Sequence, residues 1–180
     1  MSVLAALEGM DRLSGGEVLI AQNVAFGVLA LAMVAAALRG DALSDGSSVL
    51  AMSYIGAQRV FSEYSEMGDA KALLESIVRS YGYRLGRRGI RINAVSQSPT
   101  RTTAGGGISG FDAMFEFAEK VAPLGNADQA SCADYCVTLL SDYTRMVTMQ
   151  TLYHDGGFSA MGISDALVEG LTDMKIRDDA

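Results

Sequence analysis

The sequence predicts an α/β fold with a mostly parallel sheet. Short apolar runs bounded by turn residues alternate along the chain with longer helical patterns, and this alternation is typical of strands and helices packed in layers. The chain has 180 residues, of which 49% are hydrophobic, so it has the material for one sizeable core. We therefore expect a single domain over residues 1–180 rather than a disordered tail.

Helical patterns come first. Residues 2–11 predict a short helix, and residues 17–39 predict a long one. Within the long helix, residues 24–38 (VAFGVLALAMVAAAL) are continuously apolar. This run is shorter than the ~20 residues that a membrane span needs. It therefore predicts a helix buried between the sheet and a neighbouring subunit, and no membrane association.

The remaining elements alternate between strands and helices. Residues 48–53 (SVLAMS) are a short apolar run that predicts a buried parallel strand. Residues 90–95 (IRINAV) alternate in polarity, as a strand does. The other predicted elements are a helix at 64–86, a Gly- and Thr-rich loop at 99–110, helices at 111–121 and 128–142 with Asp128 as N-cap, a strand at 148–153, and a turn at 155–157.

Charge and cysteine content exclude several classes of function. The net charge is −7, and an acidic chain repels phosphate backbones, so we expect no nucleic-acid partner. Cys132 and Cys136 are four residues apart, with His154 the only histidine. This set does not build a zinc site, and it suits a protein of the reducing cytoplasm.

The sharpest local pattern joins Tyr64 to Lys71. Seven residues cover about two helical turns, so both side chains face the same way. A phenol beside an ammonium has a lowered pKa and can donate a proton to a carbonyl oxygen, or polarise it. On its own the pair is more typical of a solvated helix surface, because chance matches to this spacing are common.

The neighbouring residues favour a site. Tyr54 follows the predicted strand at 48–53, and two further strand ends supply residues 96–102 (SQSPTRT) and 154–158 (HDGGF). Ligands of open α/β sheets bind beyond the carboxyl ends of the strands. We therefore expect Tyr54, Tyr64 and Lys71 to converge on that crevice.

These residues carry a resemblance to a known family. The chain resembles the enoyl-acyl-carrier-protein reductases, a branch of the short-chain dehydrogenase/reductase superfamily, over about residues 17–162. The SQSPT and MQTLYHDGGFS stretches are most similar to forms found in Bacteroidetes-type bacteria. The segments that carry the resemblance are MSYIGAQRVFSEYSEMGDAKALLES (52–76), RRGIRINAVSQSPTRTTAGGGISGFDAMFEFAEKVAPLGN (87–126), ADYCVTLLSD (133–142) and MQTLYHDGGFSAMG (149–162).

The resemblance implies the C-terminal part of a Rossmann-like doubly wound parallel sheet and a specific chemistry. The implied reaction is NADH-dependent reduction of an enoyl thioester on acyl carrier protein in fatty acid biosynthesis, with NADPH left open. Tyr64 would stabilise the enolate oxygen, Lys71 would hold the nicotinamide ribose, and Tyr54 would bind the thioester carbonyl. The other implied residues are Ser53, Pro99, Thr100 and Thr102 for the cofactor, and Met67, Ile108 and Phe111 for the acyl chain.

Partners follow from the same resemblance. The helices at 17–39 and 64–86 resemble the two that pair between subunits of this superfamily, which implies a homodimer or homotetramer. A cluster of basic residues predicts a solvated face, or a contact for the acidic carrier protein if it lies at the mouth of the site. The cluster consists of Arg79, Arg84, Arg87 and Arg88.

One expected element is not found in the sequence. A dinucleotide fold begins with a strand, a Gly-rich turn and a helix, and no Gly cluster here has that context. The N-terminal βαβ units are then absent, and the strand at 48–53 has an exposed edge. Three alternatives stay open: a fragment of an active reductase, a truncated paralogue that acts as an oligomer partner, and another short-chain reductase or non-redox enzyme that uses Tyr64 and Lys71.

Overall fold

The structure, a computed structural model, describes residues 43–61, 64–101, 110–165 and 167–171. The helices predicted at 2–11 and 17–39 lie outside these ranges. So do Thr102, Ile108 and most of the predicted loop at 99–110.

A three-stranded sheet forms the centre of the described fold. The strands are β1 (Ser48–Ser53), β2 (Arg91–Gln97) and β3 (Thr151–His154), in the order β1-β2-β3. Both neighbouring pairs are parallel, which confirms the predicted fold class. The first six residues of β2 are all buried, as expected for the central strand of a parallel sheet.

Strand β1 lies at an edge of this sheet. Within the described ranges it pairs with β2 alone. Most of its residues are half-buried, and Met52 is 44% exposed.

Strand β3 begins three residues later than the sequence predicts. Met149 has a φ of 63°, a left-handed conformation that a strand does not accommodate. Its amide donates to the carbonyl of Ile92, and the Ile92 amide donates to the Thr148 hydroxyl. The chain therefore bends at Met149 beside β2, and regular pairing starts only at Thr151.

Three helices accompany the sheet: α1 (Ser65–Leu85), α2 (Phe111–Val121) and α3 (Gln129–Leu140). The positions of α1 and α2 confirm the predictions. Helix α3 also starts as predicted, because the Asp128 carboxylate accepts from the Ser131 amide at 2.7 Å. It ends at Leu140, since Ser141 is extended. None of the described helices is long and apolar enough to cross a membrane.

Helix α1 packs closely on the sheet. Val78, Ile92 and Ala94 form a buried cluster between the helix and β2. A side chain at Gly82 would lie 2.8 Å from a methyl group of Ile92. Because α1 connects parallel strands, its N-terminus lies at the carboxyl end of the sheet, where the candidate site residues are located.

Candidate active site

Two tyrosines define the site at the carboxyl end of β1. Tyr54 directly follows the strand and leads into a short 3-10 turn, Ile55–Ala57, while Tyr64 directly precedes α1. Their rings pack edge to face with centroids 5.1 Å apart. Each residue is only 7% exposed. The structure therefore brings together two predicted site residues.

Two glycines make this approach possible. A side chain at Gly56 would lie 2.6 Å from the Tyr64 ring and 3.2 Å from the Tyr54 ring. A side chain at Gly68 would lie 2.6 Å from the carbonyl oxygen of Gly56. The backbone of the turn therefore lies against both the rings and the first turns of α1.

An apolar cluster surrounds the two rings. Its buried members are Tyr54, Ile55 and Tyr64, and the half-buried side chains packed against them are Phe61, Met67, Met114 and Phe158. Met67, one of the predicted acyl-pocket residues, lies in this cluster. Phe111, another, is buried beside Phe115, with ring centroids 6.2 Å apart, and α2 reaches the tyrosines through Met114.

The Tyr54 hydroxyl is buried without a hydrogen-bond partner among the described residues. Burial raises the pKa of Tyr54, and the nearby charges of Tyr64 and Asp155 raise it further. The phenol is therefore neutral and carries a free donor. An unpaired buried hydroxyl costs free energy, so Tyr54 carries a buried donor that no described residue satisfies.

The expected lowering of the Tyr64 pKa is wrong. Burial raises the pKa of Tyr64 to about 12, because the apolar cluster disfavours the phenolate. The Lys71 ammonium, which was expected to lower it, donates to the carbonyl oxygen of Met52 at 2.8 Å. Tyr64 is thus a neutral hydrogen-bond donor at neutral pH.

Lys71 has the donors that a sugar needs. Its contact with Met52 uses one of its three N–H groups. The side chain is half-buried at the carboxyl end of β1, and burial lowers the pKa of Lys71. Two N–H groups therefore remain. A nicotinamide nucleotide at this position would need two such donors for its ribose diol, so Lys71 fits that group.

The other predicted cofactor residues lie at the ends of β1 and β2. The Ser53 hydroxyl donates to Glu75 rather than pointing to a free space. Pro99 is buried, and the half-buried Thr100 donates to the carbonyl of Ser98 at 3.0 Å. Thr102 lies outside the described residues.

Gln97 and Ser98 anchor the end of β2. The Gln97 amide oxygen and the His154 Nδ1 are 2.8 Å apart, and the His154 ring stacks on Tyr135. The Ser98 hydroxyl accepts from the Ala127 amide at 3.0 Å. His154 is therefore a hydrogen-bonded structural residue.

Three residues that the sequence analysis does not single out belong to the same end of the sheet. Glu75 accepts from Ser53 and Gln58, and Gln58 accepts from the Tyr153 hydroxyl. A signal for Glu75 exists in the sequence, because it lies four residues after Lys71 and so on the same helix face. Nothing in the sequence marks Gln58 or Tyr153.

A cavity of about 300 Å³ opens beside Tyr64. The turn that follows Tyr54 forms one wall, and the first turns of α1 form the other. The lining residues are Gly56, Ala57, Gln58, Arg59, Val60, Phe61, Tyr64, Ser65 and Asp69.

The basic cluster does not lie at this cavity. Arg84 is in the last turn of α1, and Arg87 and Arg88 follow it, so they lie where the strands begin. Arg88 is paired with Asp45 at 2.8 Å. The structure thus places Arg84, Arg87 and Arg88 at the end of the sheet opposite the cavity.

Comparison with known proteins extends over most of the chain. A family model described as Enoyl-(Acyl carrier protein) reductase matches residues 17–159. The NADH-dependent FabI of Bacillus cereus is 36% identical over 146 residues, which are 80% of this chain and 56% of that protein. An enoyl-[acyl-carrier-protein] reductase [NADH] of Rhizobium meliloti is 42% identical over 123 residues, 66% of this chain and 45% of that protein.

Solved structures agree with these sequence relatives. The FabI–NADH complex of Alistipes finegoldii is 57% identical, with a TM-score of 0.71, over 73% of this chain and 47% of that chain. A second structure of Alistipes finegoldii FabI is 49% identical, with a TM-score of 0.69, over 82% of this chain and 52% of that chain. The chain therefore spans about half the length of the relatives it matches. Since the family match includes the two tyrosines, Lys71 and all three strands, the chain belongs to the enoyl-(acyl carrier protein) reductase family.

Proposed function

We propose that the protein reduces the carbon–carbon double bond of an enoyl thioester carried by acyl carrier protein, with NADH as the reductant. The observation that carries this proposal is the buried pair of neutral phenols at the end of β1, one of which has no partner among the described residues. Family membership supplies the reaction class. In relatives whose names state the cofactor, both NADH and NADPH occur.

The two phenols suit the charge that develops in this reaction. Hydride addition at the β-carbon places negative charge on the thioester carbonyl oxygen. A neutral donor aimed at that oxygen stabilises the transition state more than the substrate. Both phenols are protonated at neutral pH, and burial raises the pKa of each further, so each has a proton to donate. Tyr64 donates to the developing enolate, and Tyr54 binds the carbonyl.

NADH, when bound, supplies the hydride. The Lys71 ammonium would hold the nicotinamide ribose through its two remaining N–H groups. Ser53, Pro99 and Thr100, which lie at or just after the ends of β1 and β2, would contact the nicotinamide end of the cofactor. No strand, Gly-rich turn and helix suited to the pyrophosphate occurs within the described ranges, so the fit concerns the nicotinamide end of the nucleotide.

The apolar surroundings suit an acyl chain. Met67 packs against the tyrosines and Phe111 is buried on α2, so both are proposed to contact the acyl chain. The family resemblance adds Ile108, which lies outside the described residues. An acidic carrier protein, assembly into a homodimer or homotetramer, and a cytoplasmic location belong to the same proposal.

The test is turnover by the purified chain. NADH and NADPH binding are measured by calorimetry, and crotonyl-coenzyme A reduction is followed through NADH absorbance. We expect Tyr64→Phe to lower kcat by about 100-fold or more, the usual loss for one such donor. Tyr143→Phe, at a residue 92% exposed, is the matched control. Full turnover in Tyr64→Phe, or no NADH binding and no turnover in the wild type, would refute the proposal for this chain.

A further inference from the structure

A buried carboxylate links the elements around the tyrosine pair. Glu75, on the third turn of α1, is 4% exposed. Its Oε1 accepts from the Ser53 hydroxyl at 2.6 Å, and its Oε2 accepts from the Gln58 side-chain amide at 3.1 Å. The oxygen of the same Gln58 amide accepts from the Tyr153 hydroxyl at 2.6 Å. One carboxylate thus connects α1, both ends of the turn after β1 and, through Gln58, β3.

We propose that Glu75 is the positioning residue of this site: its carboxylate fixes the turn from Ser53 to Gln58 and thereby the placement of Tyr54 and Tyr64. The inference rests on the proposed function for its catalytic meaning. Its structural content, that Glu75 determines where the two rings lie, is independent of that function.

Glu75 is hydrogen-bonded to the chain on both sides of Tyr54. Ser53 precedes the tyrosine and Gln58 follows it by four residues, and both donate to the same carboxylate. Between them the backbone closes on itself, since the Ala57 amide donates to the carbonyl of Tyr54 at 2.9 Å. Lys71, one helical turn before Glu75, adds a bond to the carbonyl of Met52. Hydrogen bonds therefore hold the chain on both sides of Tyr54 against one face of α1.

Glu75 influences the position of the Tyr64 ring through Gly56. This glycine lies inside the enclosed turn, so near the Tyr64 ring that a side chain there would meet it at 2.6 Å. A displacement of the turn by a few tenths of an ångström therefore changes the space available to that ring.

The carboxylate acts through its hydrogen bonds. Its bonds to Ser53 and Gln58 fix the turn around Tyr54, while at Tyr153 burial raises the pKa of the phenol and the charge of Glu75 also raises it. Both partners of Glu75 are donors, and a carboxylate accepts at two oxygens, whereas an amide accepts at one. Glu75→Gln therefore keeps one of the two contacts and forces the other to rearrange.

The experiment labels the full chain with 3-fluorotyrosine and records 19F spectra at neutral pH. The seven resonances are assigned with Tyr→Phe variants. We expect Glu75→Ala to shift or broaden the signals of Tyr54, Tyr64 and Tyr153, and to leave the exposed Tyr83 and Tyr143 unchanged. Glu75→Gln moves the same signals less. Gln58→Ala moves the Tyr54 signal in the same direction, and the double variant adds little to Glu75→Ala.

Val78→Ala is the matched control. Val78 lies one turn after Glu75 on α1, is 1% exposed, and packs against Ile92 and Ala94 rather than the network. Its replacement weakens the same helix, so it moves the tyrosine signals only if general destabilisation is the cause. Equal changes in Val78→Ala and Glu75→Ala would overturn the proposal. So would wild-type Tyr54 and Tyr64 signals in folded Glu75→Ala or, if that variant does not fold, in Gln58→Ala.

Turnover in the same samples separates this inference from the proposed function. We expect kcat for crotonyl-coenzyme A to fall about tenfold or more in Glu75→Ala, because the two tyrosines are displaced. A wild-type chain without turnover would refute the proposed function, while the 19F spectra would still decide the role of Glu75.

Discussion

The two ends of the sheet are each built around a buried charged side chain, and they differ in how completely their polar groups are paired. At the amino end, Arg91 is 8% exposed. Its guanidinium donates hydrogen bonds at the C-terminus of α3 and in the turn that follows, where backbone carbonyls lack helical partners. It donates to the carbonyls of Leu139, Leu140, Ser141 and Val147 and to the hydroxyl of Thr144, at 3.0–3.4 Å.

At the carboxyl end of the sheet, fewer of the buried polar groups have hydrogen-bond partners. Glu75 has both of its oxygens bonded, but the buried hydroxyls of Tyr54 and Ser96 have no partner among the described residues. Buried polar groups without partners reduce stability. The difference teaches that the amino end is the more fully paired of the two, while the carboxyl end gives up some stability where the proposed site lies.

The largest expected effect is at the amino end. Arg91→Ala leaves several carbonyls of the α3 terminus buried without a donor, so we expect a loss of about 3–5 kcal/mol in the free energy of unfolding. Urea unfolding followed by circular dichroism measures it. Arg145→Ala, at an exposed residue, is expected to change stability by less than about 0.5 kcal/mol. A loss below about 1 kcal/mol in Arg91→Ala would show that the amino end does not depend on this side chain.

Gly68→Ala tests the close approach at the carboxyl end. The added methyl would lie 2.6 Å from the Gly56 carbonyl oxygen, so helix and turn must separate. We expect a loss of about 2–3 kcal/mol and, if the tyrosines act as proposed, of turnover. Gly86→Ala is the matched control, because a side chain there meets nothing within 4 Å and its φ is −55°. Its stability should be unchanged or slightly higher. Wild-type stability in Gly68→Ala would refute the described contact.

Alkaline unfolding distinguishes the buried phenols from exposed ones. The Tyr64 pKa is about 12 in the folded chain and about 10 when unfolded, so stability is full below pH 10 and is lost as the pH rises to 12. Tyr64 contributes about 2 kcal/mol to this loss, and Tyr54 acts in the same direction. Urea unfolding at a series of pH values should show a shallower decline in Tyr64→Phe and the wild-type decline in Tyr143→Phe. An unchanged decline in Tyr64→Phe would mean that Tyr64 is solvated.

The smallest expected effect has the opposite sign. Tyr54→Phe removes a buried hydroxyl that lacks a partner, so we expect a gain of about 1 kcal/mol in the free energy of unfolding. Under the proposed function, the same variant binds thioester more weakly. Thermal unfolding and thioester titration measure the two effects. A loss of stability would show that the hydroxyl is paired in the unliganded protein.

Local patterns were sufficient for most of the elements in the part of the chain that the structure describes. The apolar run of β1, the long helical pattern of α1 and the Asp128 cap of α3 depend on neighbours in sequence, and all three are confirmed. The start of β3 is not predictable in this way. Met149 adopts a left-handed conformation although its residue type does not favour one, because it contacts Ile92 across the sheet.

In the site, too, features that depend on local sequence were predicted and features that depend on distant residues were not. Spacing and strand ends bring Tyr54, Tyr64 and Lys71 together in the prediction. The direction of the Tyr64 pKa shift was wrong because it depends on burial by side chains distant in sequence. Glu75 was missed because a glutamate on a helix is ordinarily solvated, and only the turn after β1 buries this one.

The two-sided attachment of Glu75 also determines how the tyrosine turn exchanges its amide hydrogens. A surface turn ordinarily opens alone, at little cost. Here separate opening would leave a buried carboxylate without either donor, which costs several kcal/mol. The amides of Gln58 and Arg59, both bonded to the carbonyl of Ile55, should therefore exchange together with the first half of α1, as one cooperative unit.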